Sequence, residues 1–197
     1  MQQQNPTEEK VAKIVLLGPS MVGKTSIVGR IMYDVFTDDQ KPTVGVSFVT
    51  HFVDIDKYTV RLQIWDTAGE ERFRSVTPMY YQDCNAALIC FAINDHDTFK
   101  QVQSWINEIL SNMAVTPLLF IIGNKSDVDD NERQVPYEEA SHLADENDAF
   151  YYEVSALSGY GIHDLFEFIA RKAVETNHVR ITNPPQIANE RPQKKCC

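Results

Sequence analysis

Long apolar stretches are missing from this chain, and so are patterned cysteines, clustered histidines and any excess of positive charge. No apolar run approaches the roughly 20 residues that span a bilayer. The longest, 86–93 and 117–122, have the length of buried strands. The first ten residues are polar and lack the apolar centre of a secretory signal, so the expected compartment is the cytosol. A formal charge of −10 argues against a nucleic-acid binder, which needs a basic face. It also sets the body against anionic membrane surfaces, so any membrane attachment needs a further source of energy. The four cysteines do not make a disulfide framework: Cys84 and Cys90 flank an apolar strand and read as small packed hydrophobes, while Cys196 and Cys197 close the sequence. His51, His96, His142, His163 and His178 show no ligand spacing, so no zinc site is expected.

What is present is an alternation of short apolar runs with longer helical ones. With 197 residues, 43% hydrophobic and 23% charged, the chain has the makings of one globular domain. Residues 13–17, 86–93, 118–122 and 150–154 are near-continuous apolar runs, as in strands buried on both faces. Residues 46–55 and 60–65 alternate more and are separated by Asp56-Lys57, which suggests an antiparallel hairpin. Phe99, Val102, Ile106, Ile109 and Leu110 make one helical face; Ile162, Leu165, Phe166 and Ile169 make another. Pro136 followed by Glu138 and Glu139 marks a helix start. The pattern implies an α/β fold: a doubly wound, mostly parallel six-stranded sheet with helices on both faces and ligands at the carboxyl ends of strands. The expected domain covers 10–177, with a flexible segment at 1–9 and a disordered tail at 178–197 rich in Pro, Asn and Gln.

Gly18-Pro19-Ser20-Met21-Val22-Gly23-Lys24-Thr25 matches G-x-x-x-x-G-K-[ST] in full, between a strand and a helix as that motif requires. Its glycines let successive backbone amides wrap phosphates, and the helix N-terminus adds positive partial charge. The candidate contacts run through Ser20, Met21, Val22 and Gly23 to Ser26. Lys24 reaches the terminal phosphates, and the Thr25 hydroxyl faces Mg²⁺. Asn124-Lys125-Ser126-Asp127 follows a strand at the same sheet end. A carboxylate such as Asp127 accepts hydrogen bonds from both N1–H and the 2-amino group of guanine, a donor pair adenine lacks. The nucleotide is therefore expected to be GTP or GDP.

In these segments, and in Thr43, Asp66-Thr67-Ala68-Gly69 and Ser155-Ala156-Leu157, the chain resembles a small GTPase of the Ras superfamily over roughly residues 10–177. The run Trp65 to Phe73 with Tyr80-Tyr81, and Gly45-Val46-Ser47-Phe48, are similar to the Rab branch; Lys13-Ile14-Val15-Leu16-Leu17-Gly18 is similar to its endocytic members. The resemblance implies that Thr43 completes the Mg²⁺ shell and senses the γ-phosphate, that Asp66 holds the metal through water, and that the Gly69 amide bonds the γ-phosphate. It implies that Phe36 packs across guanine, Lys125 flanks it, and the Ala156 amide, next to Ser155, reads its carbonyl oxygen. Phe48, Trp65 and Tyr80 resemble the aromatic triad that Rabs present to effectors. Such a protein works with an exchange factor, a GTPase-activating protein, effectors, a GDP-dissociation inhibitor and a prenylation escort, and nothing in the sequence demands more than a monomer.

Two positions depart from the family. Leu157 stands where a lysine is usual, and Glu70 where a glutamine orients the attacking water. A glutamine amide accepts from that water and donates to the transferring group, whereas an ionised glutamate only accepts. Slow intrinsic hydrolysis is the expectation, and a nearly non-hydrolysing GTP-bound scaffold is the alternative reading. Lys194-Lys195-Cys196-Cys197 is not a C-a-a-X box but resembles the double-geranylgeranyl signal of Rabs, and two lipid chains give the stable anchoring that one does not. The implied location is the cytoplasmic face of vesicle or endosomal membranes, in exchange with the cytosol.

Overall fold

The computed structural model describes residues 8–37, 43, 45–69 and 78–181. In strand β1 (Glu8–Leu17), Ala12, Ile14 and Leu16 enter one core while Val15 and Leu17 enter another, all of them fully buried. Strands β4 (Ala86–Ala92) and β5 (Leu118–Asn124) divide their side chains in the same way. Strands apolar on both sides need cover on both sides, and helical crossovers between parallel strands supply it. Helices α1 (Lys24–Tyr33) and α6 (Ile162–Glu175) cover one face. The other is covered by α2 (Pro78–Tyr81), α3 (His96–Phe99), α4 (Val102–Asn112) and α5 (Tyr137–Glu146).

The main path of the sheet runs β2-β3-β1-β4-β5-β6, where β2 is Val46–Ile55, β3 is Tyr58–Thr67 and β6 is Phe150–Glu153. All neighbours along it are parallel except β2 and β3, which form the expected hairpin with Ile55 opposite Tyr58. Asp56 takes the left-handed conformation that a two-residue turn needs, with φ of 54°. The chain winds outward from β1 to β3 and then back across to β4, so the carboxyl end of β1 lies at the switch point where such sheets bind ligands.

Two expectations change. Strand β1 starts at Glu8, ahead of the 13–17 expected for it, because Glu8 and Glu9 pair with Tyr58 and Thr59 and Arg61 takes Glu9 in an ion pair of 2.9 Å. At the other end, β7 (Arg180–Ile181) is a short seventh strand, antiparallel to Lys10 and Val11, inside a segment expected to be disordered. Because β4 pairs with β1 only from Ile14 onward, the earlier part of that edge is open, and β7 takes it. The rest of the tail, 182–197, lies outside the described residues.

The helical face expected from Phe99 to Leu110 is also interrupted. Helix α3 stops at Phe99 and α4 starts at Val102, which places Val102, Trp105, Ile106 and Ile109 inward and leaves Leu110 44% exposed. At 100° per residue, position 110 falls on the flank of that stripe. Ile106→Ala is therefore expected to cost roughly 2–5 kcal/mol in urea unfolding, whereas Leu110→Ala changes stability by less than about 1 kcal/mol.

Candidate functional site

Everything needed for a phosphate cradle converges where β1 ends. Gly18 turns out of the strand with φ of 130°, and a Cβ there would stand 2.2 Å from the Cys90 carbonyl oxygen of β4, so only glycine lets the loop pass. Gly23 precedes the first residue of α1, which directs the helix N-terminus into the cleft. The Lys24 side chain is buried, with Nζ donating to the Gly18 and Pro19 carbonyls at 2.8 and 2.7 Å. Burial lowers its pKa, with Asp66 opposing. Gly69 packs on this group: a Cβ would meet the Pro19 carbonyl oxygen at 2.4 Å and the Lys24 ammonium at 2.5 Å.

Beside the lysine, three oxygen-bearing side chains meet. The Thr25 hydroxyl donates to Asp66 Oδ2 at 2.6 Å, which uses its one proton, so the Thr43 hydroxyl 2.8 Å away is the donor to Thr25. Asp66 is 1% exposed, and its Oδ1 is buried with no partner among the described residues. Burial pushes its carboxyl pKa up, against the Thr25 bond and the Lys24 charge. A spare carboxylate oxygen beside two hydroxyls is a hard-oxygen donor set, and it fits Mg²⁺, which takes one or two carboxylates and completes its shell with waters and phosphates.

The base end is built around Asn124, at the end of β5. Its Nδ2 donates to the Val22 carbonyl at 2.8 Å and its Oδ1 accepts from the Ala156 amide at 3.1 Å. That amide, assigned by resemblance to the guanine carbonyl, is thus bonded here to Asn124. The Ser155 hydroxyl donates to Asp127 and accepts from the Ser158 amide, fixing the carboxylate's direction. A cavity of about 300 Å³ joins the two ends, within the range of small-molecule sites. Ser20, Met21, Gly23, Lys24, Thr25, Ser26, Phe36, Thr43, Gly69, Asn124, Lys125, Asp127, Ala156 and Leu157 all line it. Val22 and Ser155 are fully buried and act from behind the wall.

Thr37 and Val128 also line the cavity, although neither stands out in the sequence; each simply follows a motif residue. Also unforeseen is a brace behind the base loop, where Arg133 binds Glu153 through both guanidinium ends at 2.9 and 2.7 Å and Tyr151 donates to the same carboxylate at 2.7 Å. Burial raises the Glu153 pKa, but the Arg133 and Tyr151 bonds outweigh it, and the net shift is below the ordinary value. Away from the cleft, Phe48, Trp65 and Tyr80 form a row, with ring centroids 5.2 and 6.3 Å apart. Glu70, Cys196 and Cys197 lie outside the described residues. Cys84 and Cys90 are buried, and burial pushes both thiols up to about 12, so neither is a nucleophile.

A cleft with a buried lysine and a hard-oxygen donor set at one end, and Asn124 with Asp127 at the other, fits a P-loop nucleotide-binding domain. Residues 13–175 match the family model for the Ras family, and the chain belongs to that family. It is a small GTPase switch: its family binds guanine nucleotide with Mg²⁺, hydrolyses GTP, and is served by exchange factors, activating proteins and effectors.

Two outcomes follow from the geometry. Gly69→Ala forces the phosphate loop and the segment after β3 apart, and isothermal titration should show the affinity for a non-hydrolysable GTP analogue falling about tenfold or more, roughly 1.4 kcal/mol, with GDP affected less. For the brace, the folded-state pKa of Glu153 lies below the unfolded value. The stability advantage of the parent over Glu153→Gln should then be full above pH 4.5 and disappear as the pH falls further, read by unfolding at a series of pH values.

Proposed function

We propose that this small GTPase is a Rab-type switch of membrane traffic, held on the cytoplasmic face of vesicle or endosomal membranes by two geranylgeranyl chains and read there by effectors. The observation that carries the reading is the row of Phe48, Trp65 and Tyr80, linked through the backbone to the nucleotide cleft. Strand β2 begins three residues after Thr43, and the Gly45 carbonyl accepts the Ala68 amide at 2.9 Å, so the two segments that face the γ-phosphate position share one root with the aromatic row. Phe48 is 48% exposed, available to a partner. The Lys194-Lys195-Cys196-Cys197 ending supports a doubly lipidated anchor with local positive charge. A GDP-dissociation inhibitor and a prenylation escort are the partners such an anchor requires for its exchange with the cytosol.

In the cleft, Lys24 and the amides of residues 20–26 hold the phosphates, and Asp127 with Asn124 selects guanine. Thr25, Thr43 and Asp66 hold Mg²⁺, which when bound neutralises phosphate charge. Lys24 and Thr43 supply transition-state stabilisation around the γ-phosphate, and Glu70 takes the place of the glutamine to which the family resemblance gives the attacking water. An ionised Glu70 accepts from that water but donates nothing to the transferring group, and it adds negative charge to an anionic centre. Intrinsic hydrolysis is therefore slow, and an activator that brings its own arginine and glutamine overcomes the defect. The same residue favours a second reading, a GTP-bound scaffold that hardly turns over. A rate that stays negligible with activator present would select that one.

Three measurements test the proposal. Competition binding should show GDP preferred to ADP by orders of magnitude. In single-turnover assays Glu70→Gln should hydrolyse GTP about tenfold or more faster than the parent; equal rates would remove the argument about Glu70. Imaging of a tagged full-length chain should show vesicle or endosomal membranes, and the Cys196→Ser/Cys197→Ser variant should be diffuse; unchanged membrane staining would exclude the lipid anchor.

A further inference from the structure

Arg30 lies in the last turn of α1, on the side away from the phosphates, with its side chain 13% exposed. All three of its guanidinium nitrogens are engaged. Nε donates to the Ala156 carbonyl at 3.0 Å and Nη2 to the Leu157 carbonyl at 2.6 Å. Nη1 donates to the carbonyl and to Oδ1 of Asp34, each at 2.9 Å. We propose that Arg30 is a positioning residue for base recognition: it fixes the wall carrying Ala156 and Leu157 against the root of the segment carrying Phe36, and so governs how long the nucleotide stays bound. The proposal rests on the guanine reading of this cleft.

The geometry ties together parts of the site that share no other element. Asp34 caps α1 in the left-handed conformation, its amide donating to the Arg30 carbonyl at 3.0 Å, and this turns its own carbonyl back to the guanidinium. Two residues further on, Phe36 lines the cavity. On the opposite side, Asn124 holds the Ala156 amide from the inside of the loop and Arg30 holds the Ala156 carbonyl from the outside. The loop then passes over the arginine stem, where a Cβ on Gly159 would lie 3.5 Å from Arg30 Cδ. The planar fork is what makes this possible. It presents N–H groups in fixed divergent directions, whereas a lysine of equal charge has a single rotating ammonium. With leucine at 157, the loop brings no cation of its own to that position.

The test uses the full chain in Mg²⁺, measuring release of fluorescent GDP against excess unlabelled GDP, and GDP and ADP affinities by competition. Arg30→Lys and Arg30→Gln should release GDP about tenfold or more faster. Their preference for GDP over ADP should shrink, because the fault lies at the base wall and not at the phosphates. Release by Arg30→Lys within twofold of the parent would overturn the proposal, and so would an equal loss of GDP and ADP affinity, which marks a general loss of structure. Should Arg30→Gln not fold, Arg30→Lys, which keeps the charge and the stem, decides alone. A parent that holds ADP as tightly as GDP overturns the guanine reading beneath the proposal, an outcome visible before any variant is made.

Discussion

The side chain of Asn124 sits between the glycine-rich loop at 18–25 and the loop at 155–157, and each end of its amide is bonded to one of them. Few side chains can do this. An aspartate would face the Val22 carbonyl with a second acceptor, and a leucine would leave both a carbonyl and an amide unpaired in a site where Asn124 is 2% exposed. The neighbouring sequence is shaped by the same bond: a Cβ on Gly23 would lie 2.2 Å from Asn124 Nδ2, so the glycine before the lysine is demanded by the amide as well as by the phosphate turn. In a buried setting such bonds are costly to break, and the two loops behave as one rigid piece.

Of the other half of the cleft, the described residues Thr43 and Gly69 are attached more lightly. Among the described residues, Thr43 reaches the half held by Asn124 through its hydroxyl bond to Thr25, a contact on the order of 1 kcal/mol that an oxygen of phosphate or of the Mg²⁺ shell could replace. Gly69 lies against the Lys24 ammonium just beyond the end of β3. Because the Gly45 carbonyl and the Ala68 amide join these two segments, a change at either one is felt at the base of β2 and β3, where the aromatic row begins. A switch needs this contrast between a firm grip on the nucleotide and a light hold on the segments that report its state.

Much of this was legible in the sequence because the features concerned are local. The phosphate loop is eight consecutive residues, the hairpin turn is two, and α6 repeats its apolar face through Ile162, Leu165, Phe166 and Ile169, all of them fully buried. What escaped depends on residues distant in the chain. Arg30 reads as an ordinary exposed helix cation until the loop at 156–157 is placed against it, 126 and 127 residues away. Arg133 and Glu153 are unremarkable apart and meaningful only as a pair. Strand β7 has no apolar pattern of its own and exists because β4 starts late on the edge of β1. Leu110 was misplaced for a different reason, since at 100° per residue it falls on the flank of the stripe that Val102, Trp105, Ile106 and Ile109 form within α4.

The pairing of β7 with the early part of β1 also fixes a direction. Arg180 lies opposite Val11 and Ile181 opposite Lys10, so the strand runs away from the Leu17 end, where the cleft is, and its last residue sits seven positions back, roughly 20 Å at strand rise. The last described residue thus stands at the pole of the sheet opposite the cleft. Strand β7 therefore closes the edge of β1 at the end of the sheet that takes no part in the cleft, and seven rungs of β1 separate its last residue from the loop that begins at Gly18.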